Sequence, residues 1–222
     1  MPYIFQLSES DHDQLRELVN IGVSHASNTL SQMVGKRITI SVPKLSITSA
    51  ENASQFVSNA DDVTVAVLLR LSGVIDGYVF LFFPREAAIH LLQVLSGKTV
   101  GDLRALTRFD RSVFQELGNV ITGGMLQGLS RFLHIEMLHS VPDVVIDMGG
   151  AMFNSLAASM ISLHEEFISL DVSVCVDAAD GSVSCEGGEE STGRMFLFVG
   201  PQAVKHILSI TNDMINKPEH TV

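Results

Sequence analysis

From Asp11 to Met33 the apolar residues Leu15, Leu18, Val19, Gly22, Ala26 and Met33 recur at helical spacing, with polar residues between them. A long helix is expected there, opened by Ser8 or Asp11 and closed by Gly35 after Val34. At 3.6 residues per turn, Asp13, Glu17, Asn20 and Ser24 share a stripe on its other side. The next run, RITISV (37–42), alternates as a strand up to Pro43, which limits pairing there, and KLSI carries on beyond it. Glu51 to Asp62 is polar and reads as a short helix or loop. Val63–Leu71 and Gly77–Phe83 read as two strands joined by a turn at Ser72–Asp76. Pro84 suits the first turn of a helix whose apolar side is Ala87, Ala88, Leu91, Leu92 and Leu95, and Gly97 stops it.

The second half repeats the plan. Asp110 is expected to cap a helix with Phe114, Leu117, Ile121, Met125 and Phe132 on its apolar side and Ser112, Glu116 and Asn119 opposite. Val144–Ile146 reads as extended, Met148–Ser162 as an additional apolar helix, and Ile168–Val176 as a strand matching Thr64–Leu71. The Gly-, Ser- and acid-rich piece Asp177–Ser191 reads as a loop or hairpin extension. Then GRMFLFVGPQAVKHIL, from Gly193, echoes GYVFLFFPREAAIHLL, from Gly77, so that Phe80 maps to Phe196 and His90 to His206.

Two offsets describe this duplication. At 99 residues, Asp11 maps to Asp110, Glu17 to Glu116, Asn20 to Asn119 and Pro43 to Pro142, while the strand–helix echo lies at 116, so the second half has gained 17 residues in its middle. The expected fold is α+β and two-layer, with pseudo-two-fold halves sharing one mixed or antiparallel sheet covered by helices, two of them long and motif-bearing. One domain over 1–222 is expected, with half-repeats 7–98 and 106–213 and a divergent loop at 177–191.

Composition narrows the function. Forty-six per cent hydrophobic content supplies a core, and Cys175 and Cys185 are too few for a disulfide framework. The chain opens without a basic, then apolar, export signal, and its most apolar run, Val63–Phe83, is interrupted by charge and glycine, so a cytoplasmic protein with no membrane partner is expected. A net charge of −11 with only 14 Lys and Arg argues against nucleic acid and for protein partners. His134 and His139 are five apart and do not converge on one helix face, and neither GMLQGLS nor Gly149-Gly150 has a phosphate-loop spacing. His90 and His206 are expected at a helix–sheet boundary, in structural roles.

A presented asparagine has no useful pKa, yet its carbonyl and amino groups can fix the position of a water molecule. Aligning water for in-line attack on a phosphoryl group is a task that needs only such positioning. The pattern [DS]-xxx-E-xx-N, followed after 22 residues by Pro and present twice, resembles the CheC/CheX/FliY phosphatases of bacterial chemotaxis, CheC most closely.

That resemblance implies removal of the aspartyl phosphate from a CheY-type response regulator. Asn20 and Asn119 would orient the attacking water, Glu17 and Glu116 would grip the receiver's lysine, and Asp13 and Ser112 would support them. It implies no cofactor of the chain's own, with Mg2+ carried by the receiver, and CheD as a further partner. Because the sequence stops at Val222, shortly after the second repeat, a stand-alone phosphatase is expected in place of a motor-switch component. The alternative is an adaptor that binds a receiver or CheD without hydrolysis. Either a monomer or a dimer fits the internal two-fold.

Overall fold

The elements follow one another as α1 (Glu9–Val34), β1 (Ile38–Ser49), β2 (Val63–Gly73), β3 (Gly77–Phe83), α2 (Arg85–Ser96), α3 (Arg108–Leu133), β4 (Met137–His139), β5 (Asp143–Met148), α4 (Gly149–Met160), β6 (Glu166–Val176), β7 (Ser191–Val199) and α5 (Pro201–Asn216). The structure is a computed structural model that describes residues 8–35, 37–49, 61–160, 166–176, 191–199 and 201–216. The polar segment 51–60 and most of the divergent stretch, 177–190, lie outside the described residues.

The two long helices match to the residue, each 26 residues long and 99 apart at both ends. Each begins with a capping box. The Ser8 and Thr107 hydroxyls accept from the backbone N–H of Asp11 and Asp110, whose carboxylates accept in return from the Ser8 and Thr107 backbone. Thr107 is therefore the cap of α3, and Asp110, expected to be the cap itself, sits three residues inside the helix. At the other ends Gly35 (φ 68°) and His134 (φ 54°) take the left-handed conformation, and their N–H groups close onto Ser31 and Ser130.

The sheet is antiparallel with strand order β1-β6-β7-β3-β2, followed on the free edge of β2 by β4 and β5 laid end to end. Exchanging the halves sends β1 to β4 plus β5, β2 to β6 and β3 to β7, and the order reads the same backwards. Phe80 pairs with its own repeat equivalent Phe196 at the β3–β7 contact, so the pseudo-two-fold axis passes between them. Their rings lie 6.3 Å apart.

Register also locates the insertion. Val67 lies opposite Leu81 and Ile168 opposite Leu197, which sets the β2-to-β6 offset at 101 against 116 for β3 to β7. All but two of the 17 extra residues thus enter the chain between β6 and β7.

Pro43 and Pro142 mark the same discontinuity. The β1–β6 register shifts between Ser41 and Lys44, and at the equivalent place, Ser140–Pro142, the other edge separates into β4 and β5. A proline has no N–H for the ladder and suits an edge strand at a bulge. Beyond it β5 runs from Asp143 to Met148, longer than the Val144–Ile146 expected, so that α4 begins at Gly149.

Both sheet faces are apolar. Val65, Val67, Leu69, Val79, Leu81, Met195 and Val199 face the core made with α1, α2, α3 and α5. Phe80, Phe82, Phe196 and Phe198 face the opposite side, where Met152 and Phe153 of α4 pack on them. Strands buried on both faces read as unbroken apolar runs, which is why β2, β3 and β7 stand out in the sequence. Met33 and Phe132, repeat equivalents assigned to the apolar faces, are 53% and 39% exposed. Helical periodicity names a face of a helix but not where the layer covering it stops.

Glycine sets how α1 meets α3. A Cβ at Gly22 would come within 2.6 Å of the Met125 carbonyl oxygen, one at Gly124 within 2.5 Å of Ala26 Cα, and one at Gly128 within 2.7 Å of Gly22 Cα. The helices touch backbone to backbone and run in opposite directions, since later residues of α1 meet earlier residues of α3. Alanine normally stabilises a helix over glycine by about 1 kcal/mol. At Gly22 the sign is expected to invert: Gly22→Ala loses about 1–3 kcal/mol to overpacking. Chemical denaturation checks it against Gly101→Ala, whose Cβ would meet nothing within 4 Å. Equal stability of the two variants would contradict the close crossing.

Candidate functional site

The faces of α1 and α3 turned away from the core carry the two motifs. On α3, Ser112, Glu116 and Asn119 are exposed, while Phe114, Leu117 and Val120 between them are buried. On α1, Asp13 and Glu17 are exposed and Asn20 is half-buried, with Leu15, Leu18 and Val19 buried. Within each helix, burial of the intervening residues fixes which way the glutamate and the asparagine point. Among the described residues no hydrogen bond or ion pair engages the side chains of Glu17, Asn20, Glu116 or Asn119, so their donors and acceptors are available to a partner.

The first motif positions are occupied locally. Asp13 pairs with Arg16 at 3.0 Å on the surface, an arrangement worth about 0–1 kcal/mol. The Ser112 hydroxyl donates to the Phe109 carbonyl at 2.7 Å. Both residues dress the helix one turn before the glutamate.

In the second copy the Pro142 loop completes a groove. Ser112, Gln115, Glu116 and Asn119 form its helical wall and His139, Ser140, Val141 and Pro142 the other, around a volume of about 460 Å³. Gln115 Nε2 donates to the Pro142 carbonyl at 3.1 Å, fastening loop to helix. Ser140 is locked onto β2: its N–H donates to the Arg70 carbonyl at 2.9 Å and its hydroxyl accepts from the Arg70 N–H at 3.0 Å. Val141, 81% exposed, stands at the lip.

The first copy is fastened differently. Arg16 replaces Gln115, and α1 is held to edge strand β1 by two serines. Ser27 Oγ accepts from Ile40 N–H at 2.8 Å, and Ser31 Oγ accepts from Ile38 N–H at 2.8 Å. These bonds satisfy edge-strand groups that would otherwise template pairing with another chain.

Each Glu–Asn pair therefore lies on its own helix. Gln115, His139 and the Ser140–Pro142 loop were not among the expected site residues. Their signal lay in the 99-residue alignment, which brings Pro142 back to a fixed distance from Asn119. His206 is exposed on α5 and not tucked at the boundary expected for it. Among the described residues no group of three His, Cys, Asp or Glu could hold a metal ion, and no helix is long and apolar enough to cross a membrane.

One buried charge supports the second motif helix. Asp110 is 1% exposed and receives Lys98 Nζ on both oxygens, at 2.7 and 2.8 Å, as well as the Thr107 hydroxyl and N–H. Burial pushes its carboxyl up, but the bonds from Lys98 and Thr107 outweigh that and hold it below its ordinary value.

Residues 13–47 match the model of the CheC-like family and residues 65–164 that of the chemotaxis phosphatase CheX. The chain is 28% identical over 170 residues to the CheY-P phosphatase CheC of Bacillus subtilis, covering 76% of this chain and 81% of that one. Among solved structures, FliY of Thermotoga maritima superposes with a TM-score of 0.73 at 19% identity, over 94% of this chain and 99% of that one. The FliM middle domain of H. pylori gives a TM-score of 0.56 at 10% identity, covering 92% and 99%. These two likenesses establish a shared fold.

A carboxylate held below its unfolded pKa stabilises the fold above that pKa, and the contribution is lost as pH falls through the folded value. Replacing Asp110 with Asn should therefore leave a stability gap to the unmodified chain that is full at pH 7 and narrows below about pH 4. Urea unfolding at a series of pH values measures it. A gap of constant size would show that the charge of Asp110 contributes nothing.

Proposed function

We propose, from the matches to the CheC-like and CheX family models and the 28% identity to a CheY-P phosphatase, that the chain hydrolyses the aspartyl phosphate of a CheY-type receiver, using one site on each long helix. The observation that carries this reading is the recurrence, 99 residues apart on two capped helices of equal length, of an outward Glu and Asn whose side chains are uncommitted among the described residues. The name of the Bacillus subtilis relative, a CheY-P phosphatase, supplies the substrate class.

On this reading Asn20 or Asn119 enters the receiver's active site and accepts a hydrogen bond from a water molecule, placing its oxygen in line with the phosphorus. That oxygen bonds to phosphorus as the bond to the receiver's aspartate breaks. The products are inorganic phosphate, which keeps the oxygen of the water, and a free aspartate carboxylate. The Mg2+ and the lysine that neutralise the phosphoryl charge belong to the receiver. Glu17 and Glu116 pair with that lysine and hold the receiver in register, a charge-assisted contact. Asp13 and Ser112 keep the preceding turn in place.

The two residue types should fail differently. With a phosphorylated CheY-type receiver as substrate, Asn20→Ala with Asn119→Ala should lower kcat by about 100-fold while receiver binding persists. Glu17→Ala with Glu116→Ala should weaken receiver binding about tenfold, the loss expected of a charge-assisted bond. If the double asparagine variant releases phosphate as fast as the unmodified chain, the assignment is wrong. If the unmodified chain binds a receiver or CheD yet releases no phosphate, the protein is an adaptor.

A further inference from the structure

The two sites are not identical one turn beyond the asparagine. Ser24 follows Asn20 by four residues, and its counterpart after Asn119 is Gly123. The place a side chain would occupy there is taken by His139: a Cβ on Gly123 would lie 3.1 Å from His139 Nε2. The repeat equivalent of His139 is Ile40, buried in the core. A serine and an isoleucine in one half thus correspond to a glycine and a histidine in the other.

Both arrangements offer the same chemistry. Ser24 Oγ spends its single proton on the Asn20 backbone carbonyl at 2.8 Å, leaving its lone pairs free. His139 Nδ1 lies 2.9 Å from the Ser140 carbonyl, which only accepts, so Nδ1 carries the proton and Nε2 of the neutral ring carries a lone pair. Residues four apart lie on one helix face about 5–6 Å from each other. Helical side chains lean toward the N-terminus. Ser24 therefore leans toward Asn20 one turn earlier, and His139, over Gly123, lines the same groove as Asn119.

We propose that Ser24 and His139 are positioning residues: the side-chain amides of Asn20 and Asn119, uncommitted among the described residues, donate their NH2 to these acceptors once a receiver seats on the motif helix, which turns each amide oxygen toward the attacking water. The inference rests on the phosphatase reading above and adds how the amide is oriented. A free carboxamide flips between two orientations of similar shape, and only the one with its oxygen outward accepts from the water. The lone pair one turn away selects that orientation in both halves with different residues.

Transplanting one solution into the other site tests this. In an Asn20→Ala background only the second site acts on a phosphorylated CheY-type receiver. His139→Ile should there lower kcat about tenfold with KM unchanged. Adding Gly123→Ser, which reproduces the first site, should restore kcat to within about threefold. In an Asn119→Ala background, Ser24→Ala should lower kcat likewise. Recovery on adding the serine excludes misfolding as the cause of the loss. Full kcat with His139→Ile alone, or no recovery with Gly123→Ser, overturns the proposal. Should the Asn20→Ala chain be no faster than the Asn20→Ala, Asn119→Ala chain, the second site is silent, so the two-site phosphatase reading falls and this inference with it.

Discussion

The backbone-to-backbone crossing of α1 and α3 constrains the rest of the molecule. Helices cushioned by side chains usually keep their axes about 8–10 Å apart and tolerate some rotation. Here Gly22, Gly124 and Gly128 remove the cushion, and the contact falls on Met125 O and the Cα atoms of Ala26 and Gly22. Neither helix can turn about its axis without driving backbone into backbone. Because Leu15, Leu18 and Val19 on one helix and Phe114, Leu117 and Ile121 on the other are buried in the core, each outward stripe is fixed. Glu17, Asn20, Glu116 and Asn119 inherit their directions from that crossing.

Around this pair the sheet supplies symmetry and reach. The Phe80–Phe196 pair on the axis joins the halves through their central strands, and the outer strands carry the proline breaks to the two sheet edges. In the second half the break holds the Ser140–Pro142 loop against α3, where Gln115 fastens it. The proline that recurs after 22 intervening residues is thereby explained as an edge-strand feature, which at Pro142 also shapes the wall of a groove. Duplication preserved the frame and let the details part: Arg16 against Gln115, Ser24 with Ile40 against Gly123 with His139.

Much of this was legible in the residues. The long helices, the strands β2, β3 and β7 and the Glu–Asn pairs all carry signals of period or spacing, which is information a sequence holds locally. The Thr107 cap was missed because Asp110, the stronger helix-start residue, works from three positions inside. Exposure of Met33 and Phe132 was missed because it depends on where neighbouring elements end. The partnership of His139 with the second site was hidden for a different reason. It arises from a loop returning to a helix surface left open by a glycine, so that it appears only when the repeat is aligned position by position. In isolation His139 reads only as a histidine five residues from His134, with no shared helix face.

Each motif helix carrying a complete site is the central claim of this account. Single-turnover phosphate release from a phosphorylated CheY-type receiver, measured for the unmodified chain and for Asn20→Ala and Asn119→Ala separately, tests it most directly. Two complete sites predict that the rates of the two single variants sum to that of the unmodified chain, as independent contributions do. Abolition of all release by either substitution alone would mean that the helices form one shared site, and would contradict it.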